Sequence, residues 1–326
     1  MKKIISVSRR TDIPAFYGDW FLKRLEEGYA GYINPFNNKK YLVSLKNEDI
    51  AGFVFWSKNF VLFIDKLEKI KNSGYKFYFN YTINNYPKIF EPNVAPVESL
   101  INNIKDLSNQ YSPQHINWRY DPIILSDITD YDFHIKNFEM IASAISGYVE
   151  RCIISFVYLY EKVKKNFKSI QKDNNMQIEE PDINLKVKLA EKLAAIASIY
   201  GIKIYSCCCD YLVSDKVGRA SCIDGNLANK IFFNNNEENI YFKPKPSRPA
   251  CGCVESIDIG TYNTCVHGCV YCYANMNKKS ASEKFNNHDK NSAFLGYSSS
   301  ESKKWLTELT NECQNNIENE KQLELF

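Results

Sequence analysis

Seven short β-rich runs alternate with amphipathic helical patterns along most of this 326-residue chain. The runs are IISVS (4–8), GFVFWS (52–57), KFYFNYTI (76–83), HINWRY (115–120), CIISFVY (152–158), IKIYSC (202–207) and SIDIGTY (256–262). Between them, Leu62, Ile64, Leu67 and Ile70 recur at near-helical spacing and stop at Gly74. Leu100, Ile101, Ile104 and Leu107 do the same, and a longer stripe from Leu185 through Leu189, Leu193 and Ile196 to Ile199 ends at Gly201. Strand–helix alternation implies right-handed crossovers and a mainly parallel sheet. Seven strands exceed what a small open sheet needs. The expected fold is therefore α/β, a full or partial (β/α) TIM-like barrel, with a doubly wound sheet as the second choice. The segment 30–45 reads as an inserted hairpin turning at Asn37-Asn38.

This pattern divides the chain into an expected barrel over 1–250, a cysteine-rich loop over 251–276 that completes it, and a flexible polar tail over 277–326. A short helix is expected in the tail around Trp305, Leu306 and Leu309. Residues 234–249 read as a polar, proline-punctuated loop. With 44% hydrophobic and 24% charged residues the chain can bury a full core. A net charge of +3 is too small to argue nucleic-acid binding by itself. The start, MKKIISVSRRTDIP, lacks the long apolar stretch of a secretion signal or membrane span, so a cytoplasmic protein with no membrane partner is expected.

Of the 11 cysteines, nine lie between Cys207 and Cys272. Without an export signal, such clustering points to metal ligation or redox chemistry and not to a disulfide scaffold. Cys265, Cys269 and Cys272 have the spacing C-x3-C-x2-C. Three thiolates this close can each bind one iron of a cubane cluster, leaving the fourth iron open to chelate a substrate. Gly268 lets the loop turn tightly. The competing reading is a structural zinc knot, but zinc sites favour paired C-x2-C units and need four ligands.

The stretch CVHGCVYCYAN resembles the signature of the radical S-adenosylmethionine (SAM) superfamily, most closely its spore photoproduct lyase and DNA-repair-photolyase-like branch. The wider stretch RPACGCVESIDIGTYNTCVHGCVYCYAN, with SVSRRTDIP at the other end, resembles an uncharacterised bacterial family classed as a domain of unknown function with a radical-SAM-like cysteine cluster. The superfamily resemblance implies a [4Fe–4S] cluster on Cys265, Cys269 and Cys272, SAM on the open iron, and Tyr271 against the adenine. It also implies cleavage of SAM to a 5′-deoxyadenosyl radical and a reductant such as flavodoxin or ferredoxin. In that superfamily the motif follows the first barrel strand, whereas here it follows the last. In a closed barrel these strands are neighbours, so a circular permutation would preserve the geometry. The glycine-rich segment that holds the SAM amino group there has no counterpart after IISVS, and Asp12 is the expected substitute. His267, inside the loop, is placed to touch the cluster or SAM.

Cys209, Cys222, Cys251 and Cys253 are candidates for a second metal site, with buried passive thiols as the alternative. Arg9, Lys58, Arg119 and Asp121 fall where strands should end, on the rim that carries barrel active sites, and are candidate catalytic residues. Arginines there suit a carboxylate or phosphate, although Arg119 and Asp121 are equally suited to a structural ion pair. The terminal QLELF resembles the pentapeptide with which bacterial polymerases and repair proteins grip the DNA sliding clamp. That resemblance implies contacts from Gln322, Leu323, Leu325 and Phe326, and a DNA substrate. The expected function is a radical SAM enzyme in DNA repair or base modification. The alternatives are the same chemistry on a small molecule, peptide or RNA, and a non-enzymatic iron–sulfur or zinc protein.

Overall fold

The computed structural model describes residues 2–233 and 240–323, with side chains as far as Asn311. Its strands are β1 (Lys3–Val7), β2 (Tyr29–Ile33), β3 (Lys40–Ser44), β4 (Ile50–Ser57), β5 (Phe77–Thr82), β6 (Ile116–Ile123), β7 (Leu125–Ser126), β8 (Arg151–Phe156), β9 (Ile178–Glu179), β10 (Lys203–Ser206), β11 (Val217–Arg219) and β12 (Ser256–Asp258). Eight form one sheet in the order β11-β10-β8-β6-β5-β4-β1-β12, and every pairing in it is parallel. All seven expected strands are present in this sheet. The eighth, β11, is three residues long and glycine-containing, too short to show alternation.

The strands follow one another along the sheet in chain order, except that the last lies beside the first. Ile4, Ile5 and Ser6 of β1 pair with Ser256, Ile257 and Asp258 of β12. Crossovers of one hand, all stepping in one direction, put their helices on one face. The packing agrees: Ile5, Phe53, Phe55, Phe79 and Trp118 share a core with helix residues such as Phe21, Leu67, Ile104, Phe138 and Leu193. Burying each such aromatic stabilises the fold by roughly 1.5–3 kcal/mol. Alternate strand residues (Ile4, Val54, Tyr78, Ile153) point the other way and pack on Leu227 and Phe232 of the helix Gly225–Phe232.

The architecture is thus α/β with a large parallel sheet. Among the described residues its ladders do not close into a barrel, because β11 and β12 remain the two ends. The order also lacks the reversal that defines a doubly wound sheet. Beyond the strands the two ends are laced together: Val254 N–H donates to the Ile223 carbonyl at 3.0 Å and Ser221 Oγ to the Gly252 carbonyl at 2.7 Å.

β2 and β3 form the expected hairpin, with Asn38 in the left-handed region (φ +56°). The segment 277–326, expected to be a flexible polar tail with a short helix, carries two helices among the described residues. A helix runs from Lys278 to Asn286 and a long one from Ser299 to Leu323. Between them Ser292, Ala293, Phe294 and Leu295 are buried. Trp20 Nε1 donates to the Ser292 carbonyl at 2.8 Å, Arg24 Nη2 to the Asn291 carbonyl at 3.2 Å, and Gly31 bridges Phe294. The Lys-, Ser- and Asn-rich composition hid four consecutive small or apolar residues, which dock. Among the described residues, no helix is long and apolar enough to cross a membrane.

Candidate functional site

Parallel strands bring all their carboxyl ends to one edge of the sheet. Arg9 follows β1, Lys58 follows β4, Asn84 lies just beyond β5, Asp121 lies in β6, and the loop carrying Cys265, Cys269 and Cys272 follows β12. The loop is held from several sides. Gly268 takes φ +73°, and a Cβ there would lie 3.0 Å from Pro92 Cγ, so glycine is required by both conformation and space. Val270 N–H donates to the Phe90 carbonyl at 3.1 Å, Asn93 Nδ2 to the Val266 carbonyl at 2.9 Å, and Asn275 Nδ2 to the Cys265 carbonyl at 2.6 Å.

Asp12 caps the short helix Ile13–Phe16, accepting from Ala15 N–H at 3.0 Å. It also accepts from Ser57 Oγ at 2.6 Å and Lys58 N–H at 2.8 Å, and His267 Nε2 lies 2.8 Å from its second oxygen. Both oxygens are therefore engaged, and Asp12 ties β1, β4 and the cysteine loop together. His267 is buried, with its ring edge-on to Phe16 at 4.6 Å. The geometry gives these two residues to each other.

Cys269 is buried, while Cys265 and Cys272 are half-buried. Burial pushes the Cys269 thiol up to about 12 and raises those of Cys265 and Cys272 as well, in Cys265 reinforced by Asp12. Against burial stand donors on sulfur: Ala274 N–H lies 3.3 Å from Cys272 Sγ, and the backbone of His267 serves Cys265. Positive charge also faces the loop, with Lys58 acting on Cys269 and Cys272. Among the described residues no group of three or more His, Cys, Asp or Glu side chains is placed to hold a metal ion as it stands.

Beneath the loop lies a buried polar network. Lys58 Nζ is 2.8 Å from Glu91 Oε1, and Tyr271 donates its hydroxyl to the same oxygen. Asn84 Nδ2 donates to Glu91 at 3.2 Å and to the Tyr271 hydroxyl at 3.1 Å, while its own oxygen accepts from Asp121 N–H at 2.8 Å. Burial alone would raise the Glu91 carboxyl. The Lys58 ammonium and the Tyr271 hydroxyl outweigh it and hold the group below its ordinary value. Burial likewise opposes the Lys58 charge, but Glu91 and Cys269 raise it. Neither Glu91 nor Asn84 is marked by any motif. Asn84 sits at a strand end, the one signal available, and Glu91 lies in a loop with none.

Arg119 and Asp121 form an ion pair, and Ser155 Oγ donates to Asp121. Arg119 also stacks over Trp56 at 5.1 Å, whose buried indole N–H has no hydrogen-bond partner among the described residues, and donates from Nη1 to Cys222 Sγ at 2.8 Å. Arg9 meets Asp258, its N–H donating at 2.8 Å and its Nε lying 3.6 Å away. Asp258 further accepts from Ser6 Oγ at 2.7 Å and Ser8 Oγ at 2.6 Å, joining β12 to the end of β1. Of the second cysteine set, Cys222, Cys251 and Cys253 come together. Cys209 turns away and interacts with Tyr211, while Cys207 and Cys208 face the group. Cys152 is buried in β8 and passive by position. The pentapeptide 322–326 lies outside the described side chains.

A protein family described as "Domain of unknown function (DUF1848)" matches residues 4–274. No curated protein matches the chain.

Proposed function

The chain belongs to the DUF1848 family, and its three-cysteine loop lies inside the span that the family covers; from that premise we propose that it is a radical SAM enzyme. The observation that carries the reading is the loop itself, which opens at the carboxyl edge of a parallel sheet beside the first strand. The donor set fits a cubane with three protein ligands. Three thiols come from one turn, backbone N–H groups address two of the sulfurs, and a lysine stands behind them. A single zinc ion, with bonds of about 2.3 Å, needs four ligands crowded round one point, whereas each thiolate of a cubane binds its own iron. When bound, such a cluster supplies reductive cleavage of SAM.

The residues of this chain do the rest. Asp12 and His267 orient the loop, and Gly268 brings its backbone close to Pro92. Lys58 keeps positive charge next to Cys269, and Glu91 fixes both that lysine and the Tyr271 ring. Arg9 and Arg119 offer guanidinium groups to an anionic substrate, each already oriented by an aspartate. An open-sided barrel, permuted so that β12 takes the place next to β1, is the fold reading consistent with this arrangement.

Anaerobic reconstitution with iron and sulfide, followed by dithionite and SAM, tests the proposal. Stoichiometric 5′-deoxyadenosine is the expected product, and Cys272→Ala should lose both the cluster spectrum and the product. A Cys272→Ala protein with undiminished cluster and cleavage would remove the reading. The DNA substrate class rests on the QLELF terminus alone. Deleting 322–326 should abolish capture by the sliding clamp, and unchanged capture would leave a small molecule, peptide or RNA as the substrate.

A further inference from the structure

A second set of cysteines gathers at the two ends of the sheet. Cys207 and Cys208 follow β10, Cys222 follows β11, and Cys251 and Cys253 precede β12. Cys207 Sγ lies 3.5 Å from Cys222 Sγ and 3.8 Å from Cys208 Sγ. Thiol–thiol hydrogen bonds continue from Cys208 to Cys251, from Cys251 to Cys253 and from Cys253 to Cys222. Among the described residues no group of three or more His, Cys, Asp or Glu side chains is placed to hold a metal ion. Sulfurs already touching suit a bond between sulfurs instead.

The group has a closed side and an open one. Cys207, Cys222 and Cys253 are buried, whereas Cys208 and Cys251 are half-buried. The backbone is bent to bring the open pair together: Cys208 takes φ +58°, and Ala250, just before Cys251, takes φ +61°. Non-glycine residues keep that conformation only where their surroundings impose it. The turn at Cys251 is pinned further by Ser221 Oγ, which donates to the Gly252 carbonyl at 2.7 Å, and by Cys251 N–H, which donates to the Arg248 carbonyl at 3.2 Å.

The two open thiols differ in kind. Cys251 receives hydrogen bonds from Cys208 and Cys253, and Ser247 Oγ donates to its sulfur at 3.5 Å. These donors outweigh burial and hold the Cys251 thiol far below its ordinary value. Cys208 is raised by its contacts with Cys207 and Cys251 and keeps its proton. An accessible thiolate beside a protonated partner is the pairing that peroxides oxidise to a disulfide. Buried thiols serving only as small hydrophobes need no donors on sulfur and no strained backbone.

We propose that this group is a peroxide-reactive site, in which Cys251 is oxidised and Cys208 closes a disulfide with it. The Cys251 sulfur attacks one oxygen of hydrogen peroxide, the O–O bond breaks, and water leaves behind a sulfenic acid. The Cys208 sulfur then attacks the Cys251 sulfur, the S–O bond breaks and a second water departs. Two thiols thereby lose two electrons and two protons, and one peroxide becomes two waters. Cys253 touches the same sulfur but lies on the buried side, where Ile223 N–H meets it at 3.4 Å. The new bond would tie the loop after β10 to the loop before β12, joining covalently the two sheet ends that hydrogen bonds now lace. This inference is independent of what the loop at Cys265 binds.

The test treats the full chain with hydrogen peroxide, blocks the remaining thiols with N-ethylmaleimide and digests it without reduction for mass spectrometry. The expected product is a peptide pair linked through Cys208 and Cys251, lighter by two hydrogens and separated by dithiothreitol. Fragmentation between the adjacent cysteines distinguishes Cys208 from Cys207 and Cys209. In the untreated chain, Cys251 should lose its free thiol to peroxide at least about ten-fold faster than Cys152, which is buried alone in β8. Cys208→Ser should leave Cys251 as a sulfenic acid that dimedone traps, a signal that a merely misfolded variant would not direct to one residue. Cys208 and Cys251 both still alkylated after peroxide would overturn the proposal. So would a link from Cys251 to Cys253, or one confined to Cys207 and Cys222.

Discussion

His267 Nε2 lies 2.8 Å from Asp12 Oδ2, and this contact fastens the cysteine loop to the end of the first strand. The two residues are separated by most of the chain, so the loop's position depends on a long-range brace and not on local turn chemistry.

Replacing Asp12 therefore reaches further than one hydrogen bond. Asp12→Ala removes a helix cap and takes the acceptor from the Lys58 N–H and from His267, for an expected loss of about 2–4 kcal/mol in urea unfolding. Asp12→Asn keeps one acceptor oxygen and should lose less. Equal losses in the two variants would show that the carboxylate's hydrogen bonds are not what holds the loop.

The Lys58–Glu91 pair is buried, so breaking it should be costly. Glu91→Gln leaves the ammonium without its counter-charge, an expected loss of about 3–5 kcal/mol. Because the Glu91 carboxyl is held below its ordinary value, its contribution is present above that value and disappears as pH falls through the lowered one. The stability gap between wild type and Glu91→Gln should therefore persist through neutral pH and narrow only in acid. A gap that vanishes near pH 6 would contradict the ion pair.

His134 predicts a second acid limb. Burial, only partly offset by its contact with the Ile124 carbonyl, lowers this imidazole to about 4. The unfolded chain then binds a proton that the folded protein refuses, from about pH 6.5 downward. Stability should fall across that window, and less steeply in His134→Gln. Parallel stability–pH curves for the two proteins would count against a buried neutral histidine.

Gly31 tests whether the segment after residue 277 is docked. A Cβ at this position would lie 2.5 Å from the Phe294 ring. Gly31→Ala should destabilise the protein by about 1–3 kcal/mol and speed proteolysis between residues 287 and 298. Unchanged cleavage there would argue that Phe294 does not rest on the hairpin.

Much of the sheet was legible because its strands are apolar runs bounded by glycine and polar turns, as in GFVFWS and KFYFNYTI. The hairpin was legible from Asn37-Asn38. Three features were not. β11 is VGR, and its glycine is required because a Cβ would meet the Tyr205 ring at 2.7 Å, a tertiary fact. Glu91 belongs to the buried polar network only because the loop 84–94 folds under the cysteine turn. Of the adjacent Cys208 and Cys209, Cys208 takes a left-handed backbone and brings its sulfur to 3.8 Å from Cys207 Sγ, which spacing does not encode.

The pairing of β12 with β1 has a consequence for biogenesis. On the ribosome, β1 emerges first and its outer edge waits through some 250 further residues for its neighbour. The cysteine turn is then made after the other strands of the sheet, so any inorganic cofactor it takes would enter a site whose other strands are already synthesised. An exposed strand edge during that interval invites wrong pairing, and expression should benefit from slow synthesis or chaperones more than a chain with its cysteine turn near the start would.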